Sequence, residues 1–247
     1  MESEVYRGMS EREDGFWWHK GMRKITTKVL RQYLPVQSGL KILDAGCATG
    51  GMFSLLLPFG QITGVDLSTQ AIELAAKRGI ADVMVADINH LPFPDNSFDL
   101  VLCSDVLYHQ GIEDDNRALR ELQRVLVPGG HLLLREAAYN WLRSEHDRLV
   151  WTKRRFTKPE LIDKLQQAGF TVIRSSYINF FLFPLALLVR LSERLRKNLN
   201  SEQSYFIIRP SLNSLLYFWL WLESKLISRI SFPCGLSIIF LSRKNTK

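Results

Sequence analysis

A glycine-rich turn near residue 46 has the residue types best suited to hold a ligand. Apolar residues 40–43 lead into Asp44, and the small residues at 45–51 include three glycines. Such a turn lets the backbone approach a bound molecule closely, which larger side chains would prevent. About twenty residues later, Asp66 ends the next apolar run, where a carboxylate can accept hydrogen bonds from ribose hydroxyls. The chemistry indicated is nucleoside binding.

The turn by itself leaves two classes of nucleotide enzyme open. Gly46-x-Ala48-x-x-Gly51 matches the dinucleotide fingerprint with one substitution, which would indicate a nicotinamide-dependent oxidoreductase. Further along, Asp87-Ile88 ends a third apolar run, and Leu-Pro-Phe-Pro-Asp-Asn-Ser-Phe-Asp-Leu-Val follows at 91–101. These two downstream elements favour the other class.

In order and approximate spacing, these motifs resemble those of the class I S-adenosylmethionine-dependent methyltransferases, specifically the small-molecule type 11 group. That group combines Asp-x-Gly-x-Gly-x-Gly, a ribose-binding acid and Leu-Pro-Phe-x-Asp-x-x-Phe-Asp, and residues 126–130 (Leu-Val-Pro-Gly-Gly) fit its later part. Ala48 stands where the central glycine usually lies. Its methyl group is small, so we expect binding to survive. The resemblance spans about residues 16–244.

The resemblance implies S-adenosyl-L-methionine as the cofactor and no metal. Asp44 would orient the methionyl ammonium group, Asp66 would hold the ribose, and Asp87 would accept from the adenine amino group. The Ile88 backbone N–H would reach a ring nitrogen, and Ser104 would face the methionyl end. The residues expected to bind the cofactor are Asp44, Gly46, Cys47, Gly50, Asp66, Leu67, Asp87, Ile88, Ser104, Arg23 and Trp18.

The last two of these residues come from an N-terminal Phe-Trp-Trp-His segment at 16–19, which also resembles this group. Arg23 would meet the cofactor carboxylate, and Trp17 or Trp18 would cover the site. The alternative is that the aromatic side chains only pack the first helix.

Methyl transfer from a sulfonium ion mainly requires that the protein align an acceptor and exclude water. A hydroxyl acceptor also loses a proton, which a base can take. His109 follows the fourth strand, and His146 follows the fifth with Asp147 beside it to orient the ring. We predict these three as catalytic residues, the alternative being ordinary hydrogen-bonding loop residues.

The net charge of +7 comes entirely from the C-terminal part of the chain. Residues 180–247 hold 10 Lys/Arg and 3 Asp/Glu, whereas residues 1–179 hold 22 of each. Residues 184–195 and 212–230 are apolar at helical spacing and carry interspersed Arg and Lys. Such helices suit the surface of an anionic membrane, or alternatively a lid or a dimer interface. We expect a small-molecule or lipid-linked acceptor methylated at oxygen, and no nucleic-acid partner. A cofactor-binding membrane-surface protein without catalysis is the non-enzyme alternative.

Short apolar runs alternate with helical patterns between residues 40 and 170, which indicates an α/β fold with a parallel sheet. The resemblance implies a Rossmann-like seven-stranded sheet with an antiparallel last strand and a helical insertion before it. We predict one domain over 1–247. Its parts are an N-terminal cover at 1–38, a cofactor-binding core at 39–179, the insertion at 180–232 and a closing strand and tail at 233–247.

The predicted location is the cytoplasm, with possible peripheral contact at the inner face of the membrane. The polar, acid-rich residues 1–14 do not resemble an export signal. The three cysteines are odd in number and widely spaced, which suits a reducing compartment.

Overall fold

The computed structural model of the protein describes residues 3–34, 39–79, 81–195 and 209–246. The polar segment 197–203, predicted to separate the two helices of the insertion, lies outside these residues. In chain order the elements are α1 (Ser3–Arg12), α2 (Trp17–Tyr33), β1 (Leu40–Ala45), α3 (Phe53–Leu56), β2 (Gly60–Asp66), α4 (Thr69–Ala76), β3 (Asp82–Val85), β4 (Phe98–Ser104), α5 (Asp115–Val125), β5 (Leu126–Ala137), a 3₁₀ turn (Asn140–Leu142), α6 (Glu145–Leu149), α7 (Lys158–Gln167), β6 (Phe170–Ile178), α8 (Phe183–Leu195), α9 (Pro210–Leu226) and β7 (Ser237–Lys244).

The strands form one seven-stranded sheet in the order β3-β2-β1-β4-β5-β7-β6. Neighbouring strands from β3 to β5 are parallel, whereas β7 is antiparallel to both β5 and β6. The predicted α/β fold, with its antiparallel last strand, is confirmed. Since the five parallel strands point the same way, their carboxyl ends meet at one edge of the sheet.

Capping residues start three of the helices, and an apolar stripe turns one of them towards the sheet. The Ser68 hydroxyl accepts from Ala71 N at 3.2 Å at the start of α4, and Asp114 accepts from Asn116 N at 2.8 Å at the start of α5. The predicted capping box of Thr157 and Glu160 opens α7. The buried residues of α5, Ala118, Leu119, Leu122 and Val125, follow helical spacing and form its core-facing stripe.

The fifth apolar run of the sequence is 131–135, but β5 is longer. Leu126 already pairs with Phe98, so residues 126–130 extend β5, which continues to Ala137. The apolar segment predicted at 184–195 corresponds to α8, which begins at Phe183, while Ile178 pairs with Ser237 in the sheet.

Helix α9 of the insertion lies parallel to α2 and is joined to it along its length. Asn213 Oδ1 accepts from Trp17 N at 2.9 Å at one end, and Gln32 Nε2 donates to Ser228 O at 2.8 Å at the other. Between them, Gly21 packs against Leu220, which is fully buried. Within the described segments, none of the helices is both long enough and apolar enough to cross a bilayer.

Candidate functional site

A row of polar side chains follows the carboxyl edge of the parallel strands. From one side of the sheet to the other, each strand carries such a residue at its end or within two residues of it, and they are Asp87, Asp66, Asp44, Ser104 and Arg135. The structure therefore brings four of the predicted cofactor-binding residues to one edge. Arg135, on β5, was not predicted.

The glycine turn after β1 is tightly folded. Gly46 N and Cys47 N both donate to Val65 O at 2.8 Å, and Gly46 and Gly50 have φ of +82° and +79°. Ala48 adopts φ of +45°, a conformation that favours glycine. Ala48, which stands where the family usually has its central glycine, thus adopts the left-handed backbone conformation.

Asp66 is fixed at the end of β2 by backbone donors. Its Oδ2 accepts from Ala48 N and its Oδ1 from Ser68 N, each at 2.9 Å. Burial raises the pKa of this carboxyl group, although these backbone hydrogen bonds lower it. A carboxylate has about four lone-pair sites, so it can still accept from ribose hydroxyls.

The adenine side of the site has a similar arrangement. Asp87 Oδ1 accepts from Asn89 N at 2.8 Å and from its side-chain amide at 3.1 Å, and Ile88 is buried beside it. Leu67 is exposed after Asp66. These positions are compatible with the predicted roles, which remain predictions.

The methionyl side contains buried polar atoms that lack a partner among the described residues. They include Asp44 Oδ2 and Ser104 Oγ. Burial raises the pKa of Asp44 to about 7, with the nearby Arg135 acting in the opposite direction. Buried polar groups normally have hydrogen-bond partners. The two atoms fit a ligand that presents an ammonium group, as the methionyl part of S-adenosylmethionine does.

The N-terminal helices cover this edge of the sheet. Arg23 Nη1 donates to Gly51 O at 3.3 Å, which places its guanidinium group at the glycine turn, and the Trp18 ring lies 5.4 Å from the Arg135 guanidinium. Glu13 accepts from the Thr49 hydroxyl at 2.8 Å. Both predicted residues therefore reach the site.

Sequence reasoning missed Glu13 and also Tyr6, which is buried near Asp66 and hydrogen-bonded to Ser68. Neither residue belongs to a recognisable motif, and only the docking of α1 brings them to the site.

Glu136 is a further buried residue that the sequence analysis did not select. Its carboxylate accepts from three successive backbone N–H groups, those of Val106, Leu107 and Tyr108, at 3.2, 2.8 and 3.2 Å. It therefore holds the loop after β4, which packs on Gly46. An acid at the end of an otherwise apolar strand was the signal that could have identified it.

Comparison with known families identifies the segment that contains these residues. Residues 43–134 match the family described as "Methyltransferase domain" (Methyltransf_11). Residues 43–134 therefore match a type 11 methyltransferase domain, as the motifs indicated. Methyl transfer is the activity of that domain family, and S-adenosyl-L-methionine is its cofactor.

Relatives of this methyltransferase domain carry different names. The "Probable tRNA methyltransferase 9B" of Bos taurus is 36% identical over 121 residues, which are 48% of this chain and 25% of that protein. The "Malonyl-[acyl-carrier protein] O-methyltransferase" of Erwinia billingiae is 38% identical over 117 residues (47% and 46%). The "Demethylmenaquinone methyltransferase" of Listeria monocytogenes is 35% identical over 127 residues (47% and 51%). The chain thus matches 25% to 51% of the length of these three relatives.

A solved structure extends the likeness to the fold of nearly the whole chain. The [4+2]-cyclase SpnF has a TM-score of 0.61 and 22% identity, with 91% of this chain and 81% of that chain covered. At this identity the likeness concerns the fold alone.

His109 is positioned as a donor beside the methyltransferase site. Its Nδ1 accepts from Gly111 N at 3.0 Å, so a neutral ring carries its proton on Nε2, an atom without a partner among the described residues. Burial lowers the pKa of His109, which favours the neutral ring. In this arrangement the Nδ1 lone pair is already used, so the geometry argues against the predicted role of His109 as a base.

Asp147 does not stand free to orient a base either. Its two carboxylate oxygens accept from Arg155 Nε at 2.7 Å and Nη2 at 3.0 Å, and Ser144 N donates to Oδ2 at 2.7 Å. Although burial acts in the opposite direction, the hydrogen bonds from Arg155 lower the pKa of Asp147. The predicted catalytic role of Asp147 is therefore replaced by a buried ion pair that holds α6. The side chain of His146 lies outside the described residues, and its role stays a prediction.

Proposed function

We propose that the protein transfers a methyl group from S-adenosyl-L-methionine to an oxygen atom of a small, lipid-like or lipid-linked acceptor. The observation that carries the proposal is the pair of unpartnered buried atoms, Asp44 Oδ2 and Ser104 Oγ, in line with Asp66 and Asp87. Adenosine would lie over β3 and β2, and the methionyl group over β1 and β4. The cofactor supplies an electrophilic methyl group. The protein supplies orientation and a covered site.

The position of β5 supports an acceptor site beyond β4. It is the next strand on the side away from β1, and an aromatic cluster lies past its end. Tyr139 stacks on Tyr177 with ring centroids 5.1 Å apart, and Trp141 and Phe183 contact Tyr139 at 5.5 and 6.2 Å. Aromatic walls favour an apolar acceptor. One relative, the demethylmenaquinone methyltransferase, is named for an acceptor of this apolar class, and another, the malonyl-carrier methyltransferase, is named for O-methylation.

A labelling experiment tests this function. The protein would be incubated with S-adenosylmethionine labelled in its methyl group and with a lipid extract, a water-soluble extract or total tRNA. We expect label in the lipid fraction, with little after Asp66→Asn and normal label after Asp82→Asn, an exposed acid at the other end of β3. Label in tRNA alone would contradict the acceptor class. Its absence from all three fractions despite cofactor binding would support the non-catalytic alternative.

We also propose that the insertion contacts an anionic membrane. Exposed apolar side chains occur on α8 and on the outer side of α9, among them Leu188 at 65%, Leu215 at 54% and Phe218 at 48% exposure. A groove beside the end of α9 is lined by Lys28, Arg31 and Arg229. Apolar side chains together with cations complement the interior and the headgroups of such a bilayer.

Sedimentation with vesicles tests the membrane proposal. Vesicles containing phosphatidylserine should sediment the full chain but not the Leu215→Glu/Phe218→Glu variant. Leu57→Glu/Ile173→Glu, which changes two exposed apolar residues elsewhere, should sediment normally. Equal sedimentation of all three proteins, or equal binding to neutral vesicles, would overturn it.

A further inference from the structure

Arg135 is a buried cation, and one of its N–H donor groups has no partner among the described residues. It is 5% exposed, and its Nε and Nη2 donate to Asp105 Oδ2 at 3.0 and 2.6 Å. Its Nη1 is buried and has no partner in the described part of the chain. An unpaired buried donor destabilises the folded protein. A ligand that accepts a hydrogen bond at this point would remove that cost.

The sheet places Arg135 on the acceptor side of the cofactor. Arg135 lies level with Ser104 in the pairing of β5 with β4, one strand further from β1. The guanidinium group lies over the Trp18 ring, 5.4 Å from its centroid, and Arg135 is largely shielded from water. A molecule that contacts both Ser104 Oγ and Arg135 Nη1 would lie beside the methionyl end of the cofactor.

The charges around Arg135 would cancel in pairs once the cofactor is bound. Asp105 neutralises Arg135, and Asp44 would be matched by the cofactor ammonium group, so the sulfonium group is the cation that an anionic acceptor would match. Burial raises the pKa of Glu136 to about 8, and its oxygens already accept from backbone N–H groups. Burial, together with Arg135 and Arg23, lowers the pKa of His19 to about 4, so this ring is neutral near pH 7.

Neither of the two described residues that were predicted as catalytic, His109 and Asp147, offers a free base at this end of the site. The ring of His109 offers an Nε2–H group, and Asp147 is bound by Arg155. A hydroxyl acceptor needs a base to take its proton, whereas a carboxylate is already a nucleophile at neutral pH.

We propose that the acceptor is a carboxylate, held by Arg135 Nη1 through one oxygen while its other oxygen is methylated. The inference rests on the proposed function and specifies its acceptor. The carboxylate oxygen forms a bond to the methyl carbon as the carbon–sulfur bond breaks, and the sulfur keeps the electron pair. An anion and a sulfonium cation become a neutral ester and a neutral thioether, and no proton moves.

Binding of a simple carboxylate tests this proposal. Calorimetry would compare octanoate with the neutral octanamide on protein saturated with S-adenosylhomocysteine. We expect octanoate to bind the unchanged protein at least tenfold more tightly than octanamide. Arg135→Met should abolish that preference while changing the affinity for S-adenosylhomocysteine less than twofold. Arg135→Lys, which keeps the cation, should restore part of the preference.

A second variant guards against misfolding, since Arg135→Met leaves the part-buried Asp105 without its partner. Asp105→Asn/Arg135→Met removes both charges and should show the same loss of preference. A preference that persists in both variants overturns the proposal. A tenfold fall in affinity for S-adenosylhomocysteine would also overturn it, because Arg135 would then hold the cofactor carboxylate. Failure of the unchanged protein to bind S-adenosylhomocysteine would instead refute the proposed function.

Discussion

A β-carbon on Gly46 would lie 2.3 Å from Cγ2 of Val106, so the glycine turn after β1 and the loop after β4 are in direct contact. The two segments flank the methionyl side of the site. Any side chain at position 46 must therefore push the loop away, and that loop is held by Glu136.

Gly46→Ala should destabilise the protein more than a glycine substitution that only strains the backbone. Gly79→Ala is the matched control, because Gly79 also has positive φ but has open space around its α-carbon. We expect a loss of about 1 kcal/mol for the control and a larger loss for Gly46→Ala. Urea unfolding measures both. Adding Val106→Ala should recover part of the difference, and equal losses for the two single variants would contradict the contact.

Ala48→Gly should stabilise the protein. Ala48 has φ of +45°, where a β-carbon costs about 1 kcal/mol. The control, Ala75→Gly, removes a buried methyl group within α4 and should destabilise the protein by a similar amount or more. Thermal unfolding should therefore shift in opposite directions for the two variants. A fall in stability for Ala48→Gly would show that the left-handed alanine is unstrained.

Asp66→Asn should weaken binding of S-adenosylhomocysteine at least tenfold. A hydrogen bond to a charged group contributes about 1.5–3 kcal/mol, and the ribose would lose its anionic acceptor. The amide can still accept from Ala48 N or Ser68 N, so the turn should remain folded. Calorimetry measures the affinity, with Asp82→Asn as the control that should bind normally. Unchanged affinity for Asp66→Asn would refute the ribose assignment.

Cofactor binding should become tighter as pH rises towards 7. Burial raises the pKa of Asp44 to about 7, and an ammonium group beside its carboxylate would lower that pKa. Binding should therefore release a proton, and affinity should rise about tenfold between pH 6 and 7.5 before levelling off. Calorimetry in two buffers of different ionisation enthalpy counts the proton. Asp44→Asn should remove the release, and proton uptake by the unchanged protein would contradict the assignment.

The sequence predicted the strand ends well because each one is marked locally. Asp44, Asp66 and Asp87 each follow an apolar run directly, and parallel strands bring such positions to one edge whatever the rest of the chain does. The full length of β5 was not predicted, because residues 126–130 join the strand only through the pairing of Leu126 with Phe98, 28 residues away.

The side-chain pairs on the acceptor side could not be predicted either, because they depend on contacts between residues that are distant in sequence. The pairing of Arg135 with Asp105 joins residues 30 positions apart, and Asp147 was expected to orient His146 but binds Arg155 instead. In sequence, each of these side chains has several equally plausible neighbours of opposite charge. Only the three-dimensional arrangement of the loops selects one of them.

The side-by-side association of α2 with α9 limits how the chain can be engineered. Helix α2 supplies Trp18 and Arg23 to the cofactor edge, whereas α9 belongs to the insertion. Gly21 of α2 leaves the space that Leu220 of α9 fills. A chimera that received a foreign insertion would have to receive a matching N-terminal helix as well. Otherwise an ill-fitting graft would displace Trp18 and Arg23 from the cofactor edge, and altered acceptor preference could not be separated from lost cofactor affinity.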